Sequence, residues 1–344
     1  MSGLWAVYQV QAKFGSAYEL AQKLLALAES TPYSLFRLAA HEALGTTLLW
    51  IGEFASARQH LEQGSSFYDP RKRRARAFRA IQDPGVDCLS FTALTLWYLG
   101  YADQARRKIN EAIALARELS HPYTLGYVFS HAALIQQFCR REQAAREAAE
   151  AAIEICSKHG FPFFLGVATL IRGWALAQQR QNREGITEIL HGFDVYRTTG
   201  SGINWPQFLI PLAEVHGCLG QVAQALQAIE DALAAVEKTG ERRDEAEVHR
   251  LRGLMTLRRK PSRLKTDSAL EAEQYFRKAI EVARNQEAKF WELRATTSLA
   301  RLLRDTNRRD EARAMLAEIY NWFSEGFDTA DLTDAKALLE ELRA

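Results

Sequence analysis

LEAEQYFRKAIEVARN, residues 270–285, sets Ala272, Phe276 and Ala279 in a small, large, small order at helical spacing, and that order decides the fold. The same slots hold Ala17, Ala21 and Leu24; Ala57, Leu61 and Gly64; Ala105, Ile109 and Ala112; and Ala145, Ala149 and Ala152. They continue through Gly185, Ile189 and Gly192; Ala225, Ile229 and Ala232; and Ala312, Leu316 and Ile319. Successive first slots are 40, 48, 40, 40, 40, 47 and 40 residues apart. Self-similarity at such a period is the mark of a solenoid. Twelve residues before most first slots a second small residue recurs, at Gly45, Ala93, Ala133, Gly173, Ala213 and Ala300. Small residues at paired sites let two helices approach closely, so each repeat is a helix, a turn and a helix. Gly52, Gly100, Gly220 and Asn307, seven residues after that second site, mark where the first helix ends.

The 344 residues therefore count repeats rather than globular domains. Hydrophobic residues at 47% and charged residues at 25% are ordinary for a folded chain and exclude wholesale disorder. A net charge of +2 is too small to imply a nucleic-acid or membrane partner, and a nucleic-acid partner is not expected. The four cysteines, Cys88, Cys139, Cys156 and Cys218, lie far apart without the close pairing of a zinc or redox motif, and read as reduced core residues. No apolar run approaches bilayer length and the start lacks a signal core, which fits a cytoplasmic protein. The expected architecture is all-α: a right-handed superhelical solenoid in one domain spanning 1–344. Its repeats are expected near 4–30, 35–66, 86–118, 123–158, 163–198, 206–239, 244–285 and 290–323, with a closing helix over 330–342.

The two ends differ. LWAVYQVQAKF enters the helical pattern without a polar capping helix, so the start reads as cut inside a longer array. At the other end Asp328 or Thr329 is placed to cap the closing helix, and Tyr320, Trp322, Phe323 and Phe327 to cover the last repeat. The two long spacings are both basic, with Arg71, Lys72, Arg73, Arg74, Arg76 and Arg79 in one and Arg258, Arg259, Lys260, Arg263 and Lys265 in the other. One joins repeats and the other joins helices within a repeat, so they leave opposite edges and read as solvated loop charge.

The A-x-x-x-F-x-x-A order of Ala272, Phe276 and Ala279 resembles the tetratricopeptide (TPR) family, although the period exceeds that family's usual 34 residues. A set of phrases carries a closer resemblance: YDPRKRRARAF with QDPGVDCLSF, TLWYLGYADQA, ELSHPYTL, GWALAQQ, TGERRDEAEVHRLRG, EAKFWELRATTSLARL and YNWFSEGFDTADL. Together they look like the C-terminal repeat region of bacterial signalling proteins in which a class III adenylate or guanylate cyclase domain precedes an AAA-type ATPase module of the STAND kind. The resemblance implies a sensing or interaction arm whose partners are the upstream ATPase or cyclase domains, a protein or peptide, or a small molecule. No Gly-Lys pair occurs, so no phosphate-binding loop is present to hydrolyse a nucleotide.

Nothing in the chain reads as catalytic. The eight histidines form no H-E-x-x-H and no helical pair, so no metal or other cofactor is expected. His131, His216 and His249 read as hydrogen bonders on or between helices, and Gly200-Ser201-Gly202 as a turn. The candidate binding surface is the inner wall lined by the first helix of each repeat. Counting from the small sites assigns to it Asp87, Ser90, Trp97, Tyr127, Ser130, Gln137, Gln207, Glu214, Glu247, Arg250, Arg294 and Arg301. A wall of aromatic and polar groups suits an extended peptide or a small ligand. The expected function is a non-enzymatic protein-interaction or ligand-sensing scaffold, with a stand-alone peptide adaptor or a small-molecule receptor as alternatives.

Overall fold

The small residues of the repeat lie where helices touch. The computed structural model describes residues 2–30, 33–69, 83–259 and 265–343, which form helices joined by turns and short irregular segments, with no strand among them. The basic stretch at 71–79, and Lys260 and Arg263 of the second one, lie outside the described residues. The helices run in consecutive pairs: α1 (Ser2–Val10) with α2 (Phe14–Glu29), α3 (Ser34–Ile51) with α4 (Phe54–Ser66), α5 (Pro84–Tyr98) with α6 (Ala102–Leu119), and α7 (Pro122–Phe138) with α8 (Glu142–His159). The pairs α9 (Pro162–Gln178) and α10 (Asn182–Arg197), α11 (Trp205–Cys218) and α12 (Val222–Thr239), α13 (Glu245–Arg258) and α14 (Lys265–Asn285), and α15 (Lys289–Asp305) and α16 (Arg309–Tyr320) follow. A final helix, α17 (Ala330–Arg343), closes the series.

Within a pair, the approach is set by missing side chains. A Cβ on Gly173 would stand 2.7 Å from the Gly185 carbonyl oxygen, and one on Gly185 2.6 Å from that of Gly173, so α9 and α10 meet backbone to backbone. Gly253 explains the long spacing before residue 272. It takes the small site of α13, and a Cβ there would lie 2.6 Å from the ring of Phe276, the large residue of the deciding stretch. The extra residues are thus inserted between the two helices without disturbing their contact. Proline at the first turn starts α5, α7, α9 and α11, where its missing N–H costs nothing.

The solenoid coils tightly enough that successive turns touch. Gly202 N donates to the Val10 carbonyl at 2.8 Å, and Arg242 N to the Trp50 carbonyl at 3.0 Å. Tyr98 Oη donates to Asp244 across 146 positions at 2.7 Å, and Trp97 stacks on Phe290 with ring centres 5.0 Å apart. The C-terminal segment docks on the start of α6. There Gln104 N and Nε2 donate to Glu325 across 221 positions at 2.9 and 3.0 Å, Gly326 N donates to Asp103 at 3.1 Å, and Arg106 holds Asp328 through two bonds of 2.8 and 2.9 Å. This corrects the expected cap of α17: the Asp328 carboxylate turns to Arg106, and Thr329 Oγ1 is buried without a hydrogen-bond partner. Phe323 packs on Phe290 of the last pair, as expected, whereas Trp322 packs on Tyr101 and joins the last repeat to an earlier turn. No described helix is long and apolar enough to cross a membrane.

Turn glycines at the seam therefore carry two constraints. Gly100 has φ +93 and a Cβ there would stand 2.5 Å from the Trp322 ring, whereas Gly220 has φ +71 and open space around it. Both Gly→Ala changes should cost about 1–2 kcal/mol for left-handed backbone. Gly100→Ala should lose a further ~1–3 kcal/mol through the forced displacement of Trp322. Equal losses for the two variants in chemical denaturation would show that the seam does not press on Gly100.

Candidate functional site

Where successive turns meet along the inner face, they leave a cavity of about 250 Å³. Its concave side comes from Phe91 and Leu94 of α5, Tyr127, Ser130 and His131 of α7, Phe163, Phe164 and Val167 of α9, and Gln207 and Phe208 of α11. Its other side is made by the seam: Val10 at the end of α1, Trp50 at the end of α3, Ile203 and Asn204 before α11, and Arg243 before α13. The lining is mostly apolar and aromatic, with a few polar groups that converge, which is the usual build of a small-molecule site.

Arg243 is the charged group of this cavity, and it is buried. Its guanidinium carbon lies 4.2 Å from the centre of the Trp50 ring, its Nε donates to Asp244 at 3.0 Å, and its Nη2 donates to Asn204 at 3.4 Å and also to Gln207. Glu241 stands 4.0 Å away and accepts from Asn204 N at 3.0 Å. Burial pushes the Glu241 carboxyl up to about 8 despite Arg243, so it is largely protonated at neutral pH. His131 also lines the cavity. Burial pushes its imidazole down to about 4, and its Nδ1 sits 3.0 Å from the Tyr127 carbonyl oxygen, so the neutral ring carries its proton on Nδ1.

A second, polar compartment adjoins the first through Gln207, which lines both. Arg250 is bound by Glu247 through bonds of 2.7 and 2.6 Å, and Arg294 by Asp331 through two of 2.8 Å. Arg294 also donates to the Phe138 carbonyl at 2.6 Å and lies over Trp291, 4.8 Å from its ring centre. Arg140 stands 3.8 Å from Glu214 and 3.4 Å from Asp331, and Trp174 Nε1 donates to Glu214 at 3.1 Å. Burial raises the Asp331 carboxyl, but Arg294 and Arg140 outweigh that and hold it below the usual range. Each arginine here has its own carboxylate, so the network is balanced and locks helices together rather than offering charge to a ligand.

The structure divides the sequence-assigned wall among these places. Tyr127, Ser130 and Gln207 line the cavity, while Gln137, Glu214, Glu247, Arg250 and Arg294 form the polar compartment. Trp97 is sealed in the aromatic seam between Phe138, Phe290 and Trp291. Asp87 and Ser90 are buried elsewhere. Asp87 faces Glu42, whose carboxyl is pushed well above its usual range by burial and then by that negative neighbour, and Ser90 donates to the Val86 carbonyl at 2.7 Å. Arg301 alone among the twelve is exposed, 3.8 Å from Asp334. Counting from the small sites found the inner face, but the inner face is shut. Arg243 and Trp50 escaped that count because both sit at helix ends, outside the repeat register. The one signal was the phrase TGERRDEAE, whose charges crowd a short turn. Among the described residues no cluster of three or more His, Cys, Asp or Glu could hold a metal.

Comparison with known proteins bears on the fold. The family model of anaphase-promoting complex subunit 5 matches residues 86–138 and 171–252, less than half of the chain. An uncharacterized protein of Rhizobium meliloti (strain 1021) is 22% identical over 253 residues, covering 73% of this chain but 24% of its own length. The chain thus spans about a quarter of that relative. A Rap protein complexed with Competence and Sporulation Factor aligns over 99% of this chain and 96% of its own, with TM-score 0.62 and 11% identity. Cut9 in the APC/C hetero-tetramer Cut9-Hcn1 aligns over 97% of this chain and 54% of its own, with TM-score 0.55 and 13% identity. The chain shares with them an all-helical, TPR-like solenoid fold.

Removing the Arg243 charge leaves Asp244 buried and unpaired. Arg243→Met should therefore cost about 3–5 kcal/mol, whereas Arg301→Ala, at an exposed pair, should cost about 0–1 kcal/mol. Comparable losses on urea denaturation would contradict the assignment of Arg243 as the seam's buried cation. For Glu241 the sign follows from its raised value. Between its ordinary 4.5 and about 8 the folded protein binds a proton that the unfolded chain releases, so this contribution to stability is lost as pH rises through that window. Glu241→Gln keeps an acceptor for Asn204 N and should lose less stability than the wild type between pH 5 and about 8. Parallel stability–pH curves would rule out a protonated Glu241.

Proposed function

We propose that the chain is a non-enzymatic, ligand-sensing interaction scaffold, and that the central cavity is where it senses. The observation that carries this reading is the composition of the cavity wall. One side belongs to the concave face of α5, α7, α9 and α11, and the other to the seam where the next turn arrives, at Val10, Trp50 and Arg243. A molecule bound there touches both turns at once, so it favours the coiled state over one with the turns apart. Differential affinity for two states is what a sensor requires. The repeats work as one solenoid domain, and a change in coiling reaches every outer helix because each pair packs on the next.

The resemblance to the repeat region of cyclase and STAND-type ATPase proteins, together with the far greater length of the Rhizobium meliloti relative, supports placing this scaffold in a larger signalling protein. In that setting the partners are the attached ATPase or cyclase domains, and the locale is the cytoplasm. The stand-alone adaptor is favoured by one finding: a Rap protein of the same fold is known in complex with a bound factor. An extended peptide on the inner wall here needs the turns to separate first, because Trp97, Phe138 and Phe290 stack across the axis.

The test is a thermal-shift screen of small molecules and peptides on the wild type and on Val167→Phe, whose added ring occupies the cavity. A cavity ligand at a hundred times its Kd should add about 2.7 kcal/mol, several degrees in Tm, to the wild type alone. Small-angle scattering of the bound protein should show no expansion. A ligand that shifts both proteins equally, or one that binds only as the particle expands, would transfer the reading to the outer surface or to the peptide adaptor.

A further inference from the structure

Resting on the cavity's role as the sensing site, we infer that its ligand is an uncharged, ring-containing molecule with a single hydrogen-bond donor, accepted by Nε2 of His131. Size comes first. A cavity of about 150 Å³ lined by apolar side chains holds benzene, so one of about 250 Å³ holds a ring with substituents or two fused rings. Shape comes from the wall: Phe91, Phe163, Phe164 and Phe208 present ring faces and edges, and aromatic ligands gain offset or edge contacts from such walls beyond area alone.

Charge comes from Arg243. Its Nε and Nη2 are committed to Asp244, Asn204 and Gln207, Glu241 stands 4.0 Å from it, and Trp50 covers one face. A carboxylate ligand would add a buried negative charge beside an arginine that Asp244 already neutralises, and an ammonium would meet Arg243 itself. Both lose more hydration than the pocket returns.

The donor requirement comes from His131. Its Nδ1 proton goes to the Tyr127 carbonyl at 3.0 Å, and the edge of Phe91, 5.3 Å between centres at 81°, fixes the ring plane. Nε2 is then an acceptor on a ring that lines the cavity. Ser130 lies one residue earlier on the same wall, but its hydroxyl donates to the Gly126 carbonyl at 2.8 Å, so it too has only lone pairs to offer. His131 and Ser130 on this wall therefore accept rather than donate.

Three matched probes test this at neutral pH: 2-naphthol, naphthalene and 2-naphthoate, titrated calorimetrically into wild type, His131→Phe, His131→Gln and Val167→Phe. The expected order in the wild type is 2-naphthol about tenfold tighter than naphthalene, the gain of one neutral hydrogen bond, with 2-naphthoate weakest. His131→Phe should bring 2-naphthol down to the affinity of naphthalene while leaving naphthalene unchanged, and His131→Gln, which retains an acceptor, should keep part of the preference. Equal or tighter binding of 2-naphthoate, or a 2-naphthol preference that survives in His131→Phe, would overturn the ligand class. Failure of all three probes, beside saturable stabilisation of the wild type but not Val167→Phe by some other compound, would also overturn it and leave the cavity as the sensing site. Probes that bind Val167→Phe as they bind the wild type would instead remove the cavity from the reading altogether.

Discussion

The guanidinium of Arg243, pressed on the Trp50 ring and held by Asp244, is the contact on which the coiled state depends. An arginine this deeply buried is tolerable only with a carboxylate and further acceptors around it, and those come from separate parts of the chain: Asp244 from its own turn, Asn204 and Gln207 from the start of α11. Trp50 arrives from α3, a full turn of the coil away, and its carbonyl takes Arg242 N. Loss of any partner leaves charge in an apolar place. The seam is therefore specified as well as attractive, because a shifted register would bury Arg243 and Asp244 without the Trp50 ring.

Closure of this kind needs a tight coil, and the coil follows from the pair contacts. Gly173 and Gly185 bring α9 and α10 to backbone contact, and Gly253 admits the Phe276 ring between α13 and α14. Each close pair adds a little rotation to the stack, and the rotations accumulate. When the turns meet, aromatic rings take the inside: Trp97 packs among Phe138, Phe290 and Trp291 where a wider superhelix has a channel. Next to the Arg243 contact the inner surface leaves the larger of its two compartments, with Trp50 and Asn204 on one side and the α7 and α9 wall on the other. The cavity is a consequence of how the seam is built.

The two interior compartments divide the work. The arginine–carboxylate network around Arg250 and Arg294 ties α7, α11, α13, α15 and α17 together through bonds that leave no carboxylate without a cation. It gives rigidity and little for a ligand to use. The apolar compartment has the reverse character: open volume and aromatic walls, with the His131 imidazole and the unpartnered Trp50 Nε1 among its few polar points. Gln207 belongs to both, so what happens in the cavity is one side chain away from the locked network.

The sequence by itself determined what neighbouring helices do to each other. The spacing of Ala272, Phe276 and Ala279, repeated through the chain, prescribes paired helices, the faces on which they pair and the glycines that end them, because those contacts lie within a period of about forty residues. It also named Tyr127, Ser130 and Gln207 as inward-facing, since the inner face follows from the small sites. Only the tertiary structure decided what those residues face. Whether the inner wall is an open groove or a shut core depends on pitch, a sum of small rotations over some five repeats, and no local pattern carries that sum. Hence Asp328 left its capping place for Arg106 across 222 positions, Trp97 went into a seam, and Arg243, at a helix start outside the repeat register, became the buried centre. Periodicity encodes contacts that are near in the chain, and the cavity is made of contacts that are far.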